Sequence, residues 1–317
     1  DFHMESFIKS KDIREARHLY ELIKNITIID PAVGSGAYLV ENLTILTKLI
    51  YNLEIILKIN PNIFQIKKDI IKNNLYGTDI DKSAIEIAKL RLWLALIVNE
   101  EKIKNIENLP NLDFKIINLN SLLIKKTDLL NHGTLKKLSE LYKKYFDLKT
   151  ISTRRKMENE IINFKKENKI NPDINSEFFG IFQNKEGFDI VLANPPYVGE
   201  KGNKEIFQEL KKGEIYKYFQ SKSDFFYYFI HLGLNITNPK GVLSFITTNY
   251  YFTATGATKL RKHIEEVSSP FSIINFQDLK IFESAQGQSN AIIFLNKLKL
   301  EKSCEVITAL GNERANT

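Results

Sequence analysis

The sequence has a single cysteine, Cys304, among its 317 residues. One thiol excludes a disulfide within the chain and suits the reducing cytoplasm. Long apolar runs are also lacking, because Lys, Asn or Glu interrupts each of them, and no signal peptide opens the chain. The expectation is a cytoplasmic protein that makes no contact with a membrane.

Histidines are few and lie far apart in the chain. The five of them, at positions 3, 18, 132, 231 and 263, show none of the short spacings that metal-binding motifs use, so we expect no metal. The other residues are ordinary for a globular protein, with 43% hydrophobic and 26% charged. A chain of this length accommodates one large α/β domain, alone or with an insertion.

The net charge of +7 permits a polyanionic partner. The charge alone is weak support, because the abundance of Lys, Asn and Ile in an AT-rich genome produces the same bias. The chain begins at Asp1 without an initiator methionine, which is expected of a fragment of a longer protein.

The most informative stretch is a buried strand predicted over residues 188–193, followed by Asn194-Pro195-Pro196-Tyr197. Proline lacks an N–H and restricts the residue before it to extended geometry, so the backbone after the strand is stiff. An amide oxygen, a free carbonyl and an aromatic ring then lie at the carboxyl end of a strand, where open α/β sheets bind ligands. Two acceptors and a ring suit a planar, conjugated NH2 group, whose lone pair they would localise for attack. An isolated Asn-Pro-Pro is also consistent with a stiff turn without any chemistry.

A glycine-containing turn connects the first predicted strand, residues 26–30, to an apolar helix over 37–51. Asp30-Pro31-Ala32 opens the turn, and Gly34 and Gly36 allow a ligand to approach the backbone and the helix N-terminus. The spacing is neither GxGxxG nor a phosphate loop, so we expect neither a dinucleotide nor a triphosphate.

The second and third predicted strands also end in polar residues. The strand over 75–79 ends at Asp79, the position that usually binds ribose hydroxyls in a βαβ unit. We expect Asp81 to cap the next helix, predicted over 82–98, which is apolar nearly all round and should be buried. The strand over 114–118 runs into a polar tip, Asn118-Leu119-Asn120-Ser121, where a base could be hydrogen-bonded.

Residues 122–187 interrupt this alternation with two amphipathic helices. Residues 121–187 carry 14 Lys and Arg against 9 Asp and Glu, so +5 of the net charge lies here. A solvated helical insertion explains this, and the alternative is a surface that contacts phosphates. Beyond the central motif we predict a mobile loop over 198–220, a helix over 224–236, a strand over 242–247, a helix over 258–267 and two late strands over 273–276 and 290–295.

With its turn, acidic strand end and Asn-Pro-Pro-Tyr motif in this order, the chain resembles class I S-adenosylmethionine-dependent methyltransferases. It is most similar to the adenine-N6 DNA methyltransferases, specifically the methylase portions of type IIG (Eco57I-like) restriction-modification enzymes. Asp30-Pro31-Ala32-Val33-Gly34-Ser35-Gly36 matches the family's cofactor loop, with Val33 in the usual cysteine place, and residues 76–81 match its ribose motif. The match covers residues 26–295 except the insertion.

The resemblance implies an α/β, Rossmann-like fold with a seven-stranded, mostly parallel sheet and a helical insertion. It implies an N-terminal helical segment (1–25), an S-adenosylmethionine-binding half (26–121), the insertion (122–187), a catalytic half (188–295) and a connector (296–317). The family's Tyr-Thr-Pro element is not recognisable in residues 1–25, and residues 296–317 are too few for a target-recognition domain. Weak DNA binding with little sequence preference is therefore expected until such a domain or a specificity subunit is supplied.

The implied reaction is methyl transfer from S-adenosyl-L-methionine to N6 of an adenine flipped out of double-stranded DNA, in a restriction-modification system that sometimes carries an attached nuclease. Asn194 and the carbonyl of Pro195, followed by Pro196, would hold the NH2 group, while Tyr197 and Phe282 would sandwich the base. The implied cofactor contacts are Asp30, Pro31, Ala32, Gly34, Gly36, Asp79, Ile80, Asn120 and Ser121. Two other functions stay open: methylation of a protein glutamine or an RNA base, and a catalytically idle methyltransferase fold.

Overall fold

A computed structural model describes residues 13–98, 110–124, 132–148, 150–277, 279, 281, 289–298 and 304–308. The predicted base-stacking residue Phe282 and residues 1–12 lie outside this part of the chain. The chain divides into two compact units. The first comprises Asp1–Leu119 and Gly133–Ile170, and the second comprises Asn120–His132 and Asn171–Thr317.

The first unit alternates helices with three parallel strands. In chain order its elements are α1 (Ile13–Asn25), β1 (Ile28–Asp30), α2 (Ala37–Ile56), α3 (Ile63–Asn73), β2 (Leu75–Asp79), α4 (Lys82–Ile97), β3 (Ile116–Asn118), α5 (His132–Asp147) and α6 (Ile151–Glu167). The strands pair in the order β3-β2-β1. The side chain of Asp81 caps α4 as expected, because it accepts a hydrogen bond from the backbone N–H of Ser83.

One face of α4 is exposed, which corrects the expectation that this helix is buried all round. Ile87, Leu90, Leu94 and Val98 lie along that face and are each about half exposed or more. The opposite face, with Ile85, Ala88, Leu92 and Leu96, is fully buried. The uniform apolar pattern could not distinguish the two faces, since both carry the same residue types.

The second unit contains the other strands and the central motif. Its helices are α7 (Ile174–Glu177), α8 (Phe179–Lys185), α9 (Lys204–Glu209), α10 (Phe225–Ile236) and α11 (Thr258–Val267). Its strands are β4 (Phe188–Ala193), β5 (Thr237–Thr248), β6 (Ser269–Asn275), β7 (Asn290–Asn296) and β8 (Glu305–Thr308). β5 runs parallel to β4, β7 runs antiparallel to β5 and β6, and β8 runs parallel to β6.

The fold class is confirmed as α/β with a mostly parallel, mixed sheet, but the described residues form eight strands instead of seven. Those of the first unit pair in the order β3-β2-β1, and those of the second pair in the order β4-β5-β7-β6-β8. The additional strand, β8, lies within the segment predicted as a connector. Its four residues are all exposed, so no alternation of buried and exposed positions marks it as a strand.

The prediction of a mobile loop over 198–220 is wrong. Helix α9 and two 3-10 helices, Leu210–Lys212 and Glu214–Tyr218, occupy most of it. Phe207, Leu210 and Ile215 are buried and anchor these helices. Three apolar anchors spread among charged residues leave too weak a helical period to be recognised in the sequence.

Candidate functional site

The turn after β1 is folded around the buried carboxylate of Asp30. One carboxylate oxygen of Asp30 accepts a hydrogen bond of 3.0 Å from the backbone N–H of Ala32, and the intervening Pro31 is buried. The N–H of Val33 donates to the carbonyl of Thr78 in β2 at 3.0 Å, which attaches the turn to the neighbouring strand. The turn is therefore a fixed structure and presents its backbone in one conformation.

Gly34 and Gly36 are required for different reasons. Both have positive φ, 51° and 81°, which glycine adopts without strain. A Cβ on Gly36 would lie 2.9 Å from the Cβ of Ala88, so Gly36 allows the start of α2 to pack closely against α4. A Cβ on Gly34 would meet no atom within 4 Å, so the space beside Gly34 is open. A ligand can approach the backbone at that point.

Asp79, at the end of β2, is hydrogen-bonded to this turn. One carboxylate oxygen accepts from the N–H of Gly34 at 2.8 Å, and the other accepts from the N–H of Asp81 at 2.9 Å. Each oxygen keeps a lone pair for a further donor. The adjacent side chain of Ile80 is 71% exposed, an apolar surface directly beside a carboxylate.

The sequence places Asn118 in the polar tip of the third strand but gives it no role of its own. Its side-chain amide donates to the carbonyls of Asp79 and Ile80, at 3.0 and 2.8 Å. It thereby orients the strand end that carries the acid. The parallel register places Asn118 beside Asp79, so pairing the polar ends of two adjacent predicted strands would have found it.

Burial and a neighbouring acid change the electrostatics of the turn. Burial of the Asp30 carboxyl raises its pKa to about 7, the hydrogen bond from Ala32 opposes this, and the nearby charge of Asp79 adds to it. Burial, and then the charge of Asp30, also raise the pKa of Tyr38. Near neutral pH the Asp30 site is thus poised to gain a negative charge, which a cation in the turn would favour.

Asn120 and Ser121 belong to the second unit. The side-chain oxygen of Asn120 accepts from the N–H of Leu122 at 3.2 Å, and its carbonyl accepts from the N–H of Leu123 at 3.1 Å. Ser121 is 5% exposed. The side chain of Asn120 therefore stabilises a turn, and a contact of either residue with a cofactor stays a prediction.

The central motif begins where β4 ends. Asn194 is exposed, Pro195 is buried and Pro196 is exposed, and the described residues contain no cis peptide bond. The hydroxyl oxygen of Tyr197 lies 2.7 Å from the side-chain oxygen of Asn194 and 3.0 Å from the backbone carbonyl oxygen of Ile246 in β5. Asn194 thus stands at the surface, next to a buried proline, with its amide already in contact with the motif's own tyrosine.

The chain after Tyr197 is attached to the start of α10. The N–H of Val198 donates to a carboxylate oxygen of Asp224 at 3.1 Å, and the N–H of Phe225 donates to the carbonyl of Val198 at 2.8 Å. Burial raises the pKa of the Asp224 carboxyl, while hydrogen bonds from the N–H groups of Phe226, Val198 and Phe225 lower it. Asp224 was not predicted as a site residue, although an acid directly before an apolar helix is a recognisable N-cap.

The described residues contain no group of three or more His, Cys, Asp or Glu placed to hold a metal ion. Among the helices of that same part of the chain, none combines the length and apolarity needed to cross a bilayer. The first unit offers a glycine turn with two carboxylates, and the second offers an exposed asparagine in contact with an aromatic residue.

The profile of the Eco57I restriction-modification methylase family matches residues 73–282, well over half of the chain. The chain belongs to this family. The matched range includes β2 with Asp79 and the whole Asn194–Tyr197 motif, while the turn after β1 precedes it.

Individual proteins similar to this chain match different shares of it. RM.Eco57I of Escherichia coli, a type II restriction enzyme and methyltransferase, is 24% identical over 294 residues, which are 87% of this chain and 25% of that protein. The type II methyltransferase M.HincII of Haemophilus influenzae is 34% identical over 128 residues, 40% of this chain and 25% of that protein. RM.MjaORFECS2P of Methanocaldococcus jannaschii is 44% identical over 117 residues, 35% of this chain and 10% of that protein. The chain thus spans a quarter or less of the length of these relatives.

Two solved structures share the fold. The type IIL restriction-modification enzyme MmeI in complex with DNA aligns over 93% of this chain and 34% of its own, with a TM-score of 0.56 and 15% identity. The DrdV–DNA complex aligns over 95% of this chain and 27% of its own, with a TM-score of 0.53 and 14% identity.

Proposed function

We propose that this chain transfers a methyl group from S-adenosyl-L-methionine to N6 of an adenine in double-stranded DNA, as part of a restriction-modification system. The observation that supports this most is the position of Asn194, at the end of the half-buried strand β4 and immediately before a buried proline. Membership of the methylase family supports the reaction type, and the planar-nitrogen chemistry of the motif supports adenine as the target.

The turn after β1 and the end of β2 present groups that match the chemical groups of S-adenosylmethionine. The cofactor carries an ammonium and a sulfonium, two ribose hydroxyls and an adenine. Asp30 and the open backbone at Gly34 suit the cationic amino-acid part, the free lone pairs of Asp79 suit the hydroxyls, and the exposed Ile80 suits the adenine face. We expect Pro31, Ala32 and Gly36 to shape the turn, and Asn120 and Ser121 to reach the adenine. When bound, the cofactor would supply an electrophilic methyl group.

Asn194 would act on the nucleophile. Its side-chain oxygen and the Pro195 carbonyl would accept the two hydrogens of the adenine amine and thereby localise the nitrogen lone pair. These two hydrogen bonds would strengthen as the transition state forms. Tyr197 and Phe282 would hold the base, which has to leave the duplex because N6 cannot be reached in the stack. A target-recognition domain or specificity subunit, and a nuclease, are further partners that this proposal includes.

A matched pair of variants tests this assignment. We expect Asn194→Ala to lower methyl transfer by about 10²- to 10³-fold, with cofactor affinity unchanged. Asp79→Ala should instead weaken cofactor binding at least about tenfold, because a carboxylate holding two hydroxyls makes charge-assisted hydrogen bonds. Calorimetry with S-adenosylmethionine measures the affinity, and incorporation of a labelled methyl group into unmethylated bacteriophage DNA measures transfer.

Analysis of the labelled nucleosides identifies the product. Label in N6-methyladenine supports the proposal, and label in another base contradicts the adenine assignment. Label that enters protein or RNA but not DNA would favour the alternative substrates, and cofactor binding without transfer to any of them would favour an idle fold. Full transfer by Asn194→Ala would refute the role of the motif.

A further inference from the structure

The hydroxyl group of Tyr197 lies between two hydrogen-bond acceptors. Its oxygen is 2.7 Å from the side-chain oxygen of Asn194 and 3.0 Å from the backbone carbonyl oxygen of Ile246. A neutral phenol has one hydrogen to donate, so it satisfies one of these acceptors fully at a time. The second acceptor is within reach without any movement of the ring.

The ring of Tyr197 and one of the acceptors are held by packing, while the other acceptor is not. The ring meets Phe226 edge-on, with centroids 5.9 Å apart at 80°. Ile246 is 8% exposed and pairs with Ile292 across the β5–β7 ladder. Asn194 is exposed, and its only hydrogen bond among the described side-chain contacts is the one with Tyr197. The hydroxyl therefore orders the Asn194 side chain more than it orders anything else.

We propose that the Tyr197 hydroxyl keeps the Asn194 side chain in its working orientation in the resting protein and passes its hydrogen bond to the Ile246 carbonyl when the target amine binds. The inference rests on the proposed function, because it takes Asn194 as the acceptor for that amine. It assigns positioning roles to the hydroxyl group and to the Ile246 carbonyl, separate from any stacking by the ring.

The exchange has a clear chemical advantage. An amide oxygen that already accepts a hydrogen from Tyr197 has less electron density to offer an incoming N–H. When the hydroxyl turns to Ile246, Asn194 recovers its full strength as an acceptor, and the phenol hydrogen is not left without a partner at a half-buried site, which would be costly. The ordered asparagine is thus available without an energetic penalty for releasing it.

Tyr197→Phe tests this directly, since it removes the hydroxyl and keeps the ring against Phe226. We expect kcat/KM for DNA to fall about 2- to 10-fold, the effect of one net hydrogen bond, while the dissociation constant for S-adenosylmethionine stays the same. The side-chain NH2 signals of Asn194 in ¹⁵N NMR, identified by their loss in Asn194→Ala, should shift and broaden. Tyr250→Phe, which removes the hydroxyl of an exposed tyrosine, is the control and should change neither kcat/KM nor the Asn194 signals.

The outcomes separate this inference from the proposed function. Unchanged Asn194 signals in Tyr197→Phe would overturn the positioning role even if the unaltered chain methylates DNA. Altered signals with undiminished kcat/KM would overturn its relevance to transfer. If the unaltered chain transfers no methyl group to DNA, the proposed function fails first, and the NMR comparison then reports only whether Tyr197 holds Asn194.

Discussion

At the scale of single residues, Lys115 carries a large electrostatic cost. It precedes β3, is 3% exposed, and its amine has no hydrogen-bond partner among the described residues. The nitrogen lies 3.8 Å from the ring centroid of Tyr76, and this cation–π contact offsets part of the cost. Burial, and then repulsion from Lys72, lower the pKa of Lys115 to about 7.

This pKa makes stability depend on pH in a defined direction. Below about pH 7 the lysine is protonated in both the folded and the unfolded chain, so the full free-energy cost of burying its charge opposes folding. Between about pH 7 and the ordinary lysine value of about 10.4 the folded chain gives up the proton first, and the cost shrinks as pH rises. At higher pH the amine is neutral in both states and the cost is gone.

Lys115→Met should therefore stabilise the protein by about 2 kcal/mol or more at pH 6, and the gain should shrink as pH rises above 7. Denaturant unfolding of the variant and the unaltered chain at pH 6, 7.5 and 9 measures their free energies of unfolding. Lys48→Met, at an exposed position on α2, is the control and should show no such pH dependence. A gain for Lys115→Met that is constant from pH 6 to 9 would mean that the folded amine keeps its ordinary pKa.

The sequence was sufficient to place Asp79 at the end of β2 and Asn194 directly after β4, because each lies where a short apolar run gives way to polar residues. It was not sufficient to find the partners of Tyr197. The Ile246 carbonyl is far along the chain, and any residue in that strand position would present the same backbone oxygen. Contacts made through the backbone leave no mark in residue identity.

At the scale of secondary-structure elements, α5 has two distinct faces. Its buried residues are Leu135, Leu138, Leu141, Tyr142 and Tyr145. Opposite them, the α5 lysine face consists of Lys136, Lys137, Lys143 and Lys144, all exposed, and the exposed Glu140 lies among them on the same face. None of the four forms an ion pair with a described residue, and Lys137 also lies over the ring of Phe164. Residues seven apart on a helix are about 10.5 Å apart, so the charges form an extended stripe.

We expect the α5 lysine face to bind DNA phosphates without sequence preference. Replacing all four lysines by Gln should lower the slope of log K against log salt for a random duplex by about 3 to 4, close to one per phosphate contact. Fluorescence anisotropy at 50, 100 and 200 mM salt measures the slope. The matched control replaces Lys24, Lys48, Lys58 and Lys68, four lysines dispersed over the same unit, and should change it by less than 1. Equal changes in the two variants would show that net charge, and not this face, sets the affinity.

Elements with strong local signals were predicted closely, and those held by distant contacts were not. The strand over Leu75–Asp79 and the helix over Thr258–Val267 have the predicted bounds. Each combines a clear apolar period with a recognisable end. The short helices in 198–220 and the edge strand β8 lack such a period, because a few buried anchors or a single neighbouring strand stabilise them.

At the scale of the whole molecule, the alternation of strands and helices was enough to predict an α/β fold with a mostly parallel sheet. The pattern could not show how the residues between β3 and β4 are divided. The structure assigns α5 and α6 to the first compact unit and α7 and α8 to the second. Amphipathic helices show which face is apolar, but the partner of that face depends on tertiary packing.

The close approach of Gly36 and Ala88 has a consequence for how sequences of this kind diverge. The two positions are distant in the chain, yet Gly36 cannot gain a Cβ while Ala88 stays in place, because that atom would lie 2.9 Å from the Cβ of Ala88. We therefore expect related sequences to keep small residues at both positions. A library that randomises position 88 and is selected for cofactor binding should return Gly, Ala and Ser, and frequent recovery of Leu or Phe would show that α2 and α4 can separate at no cost.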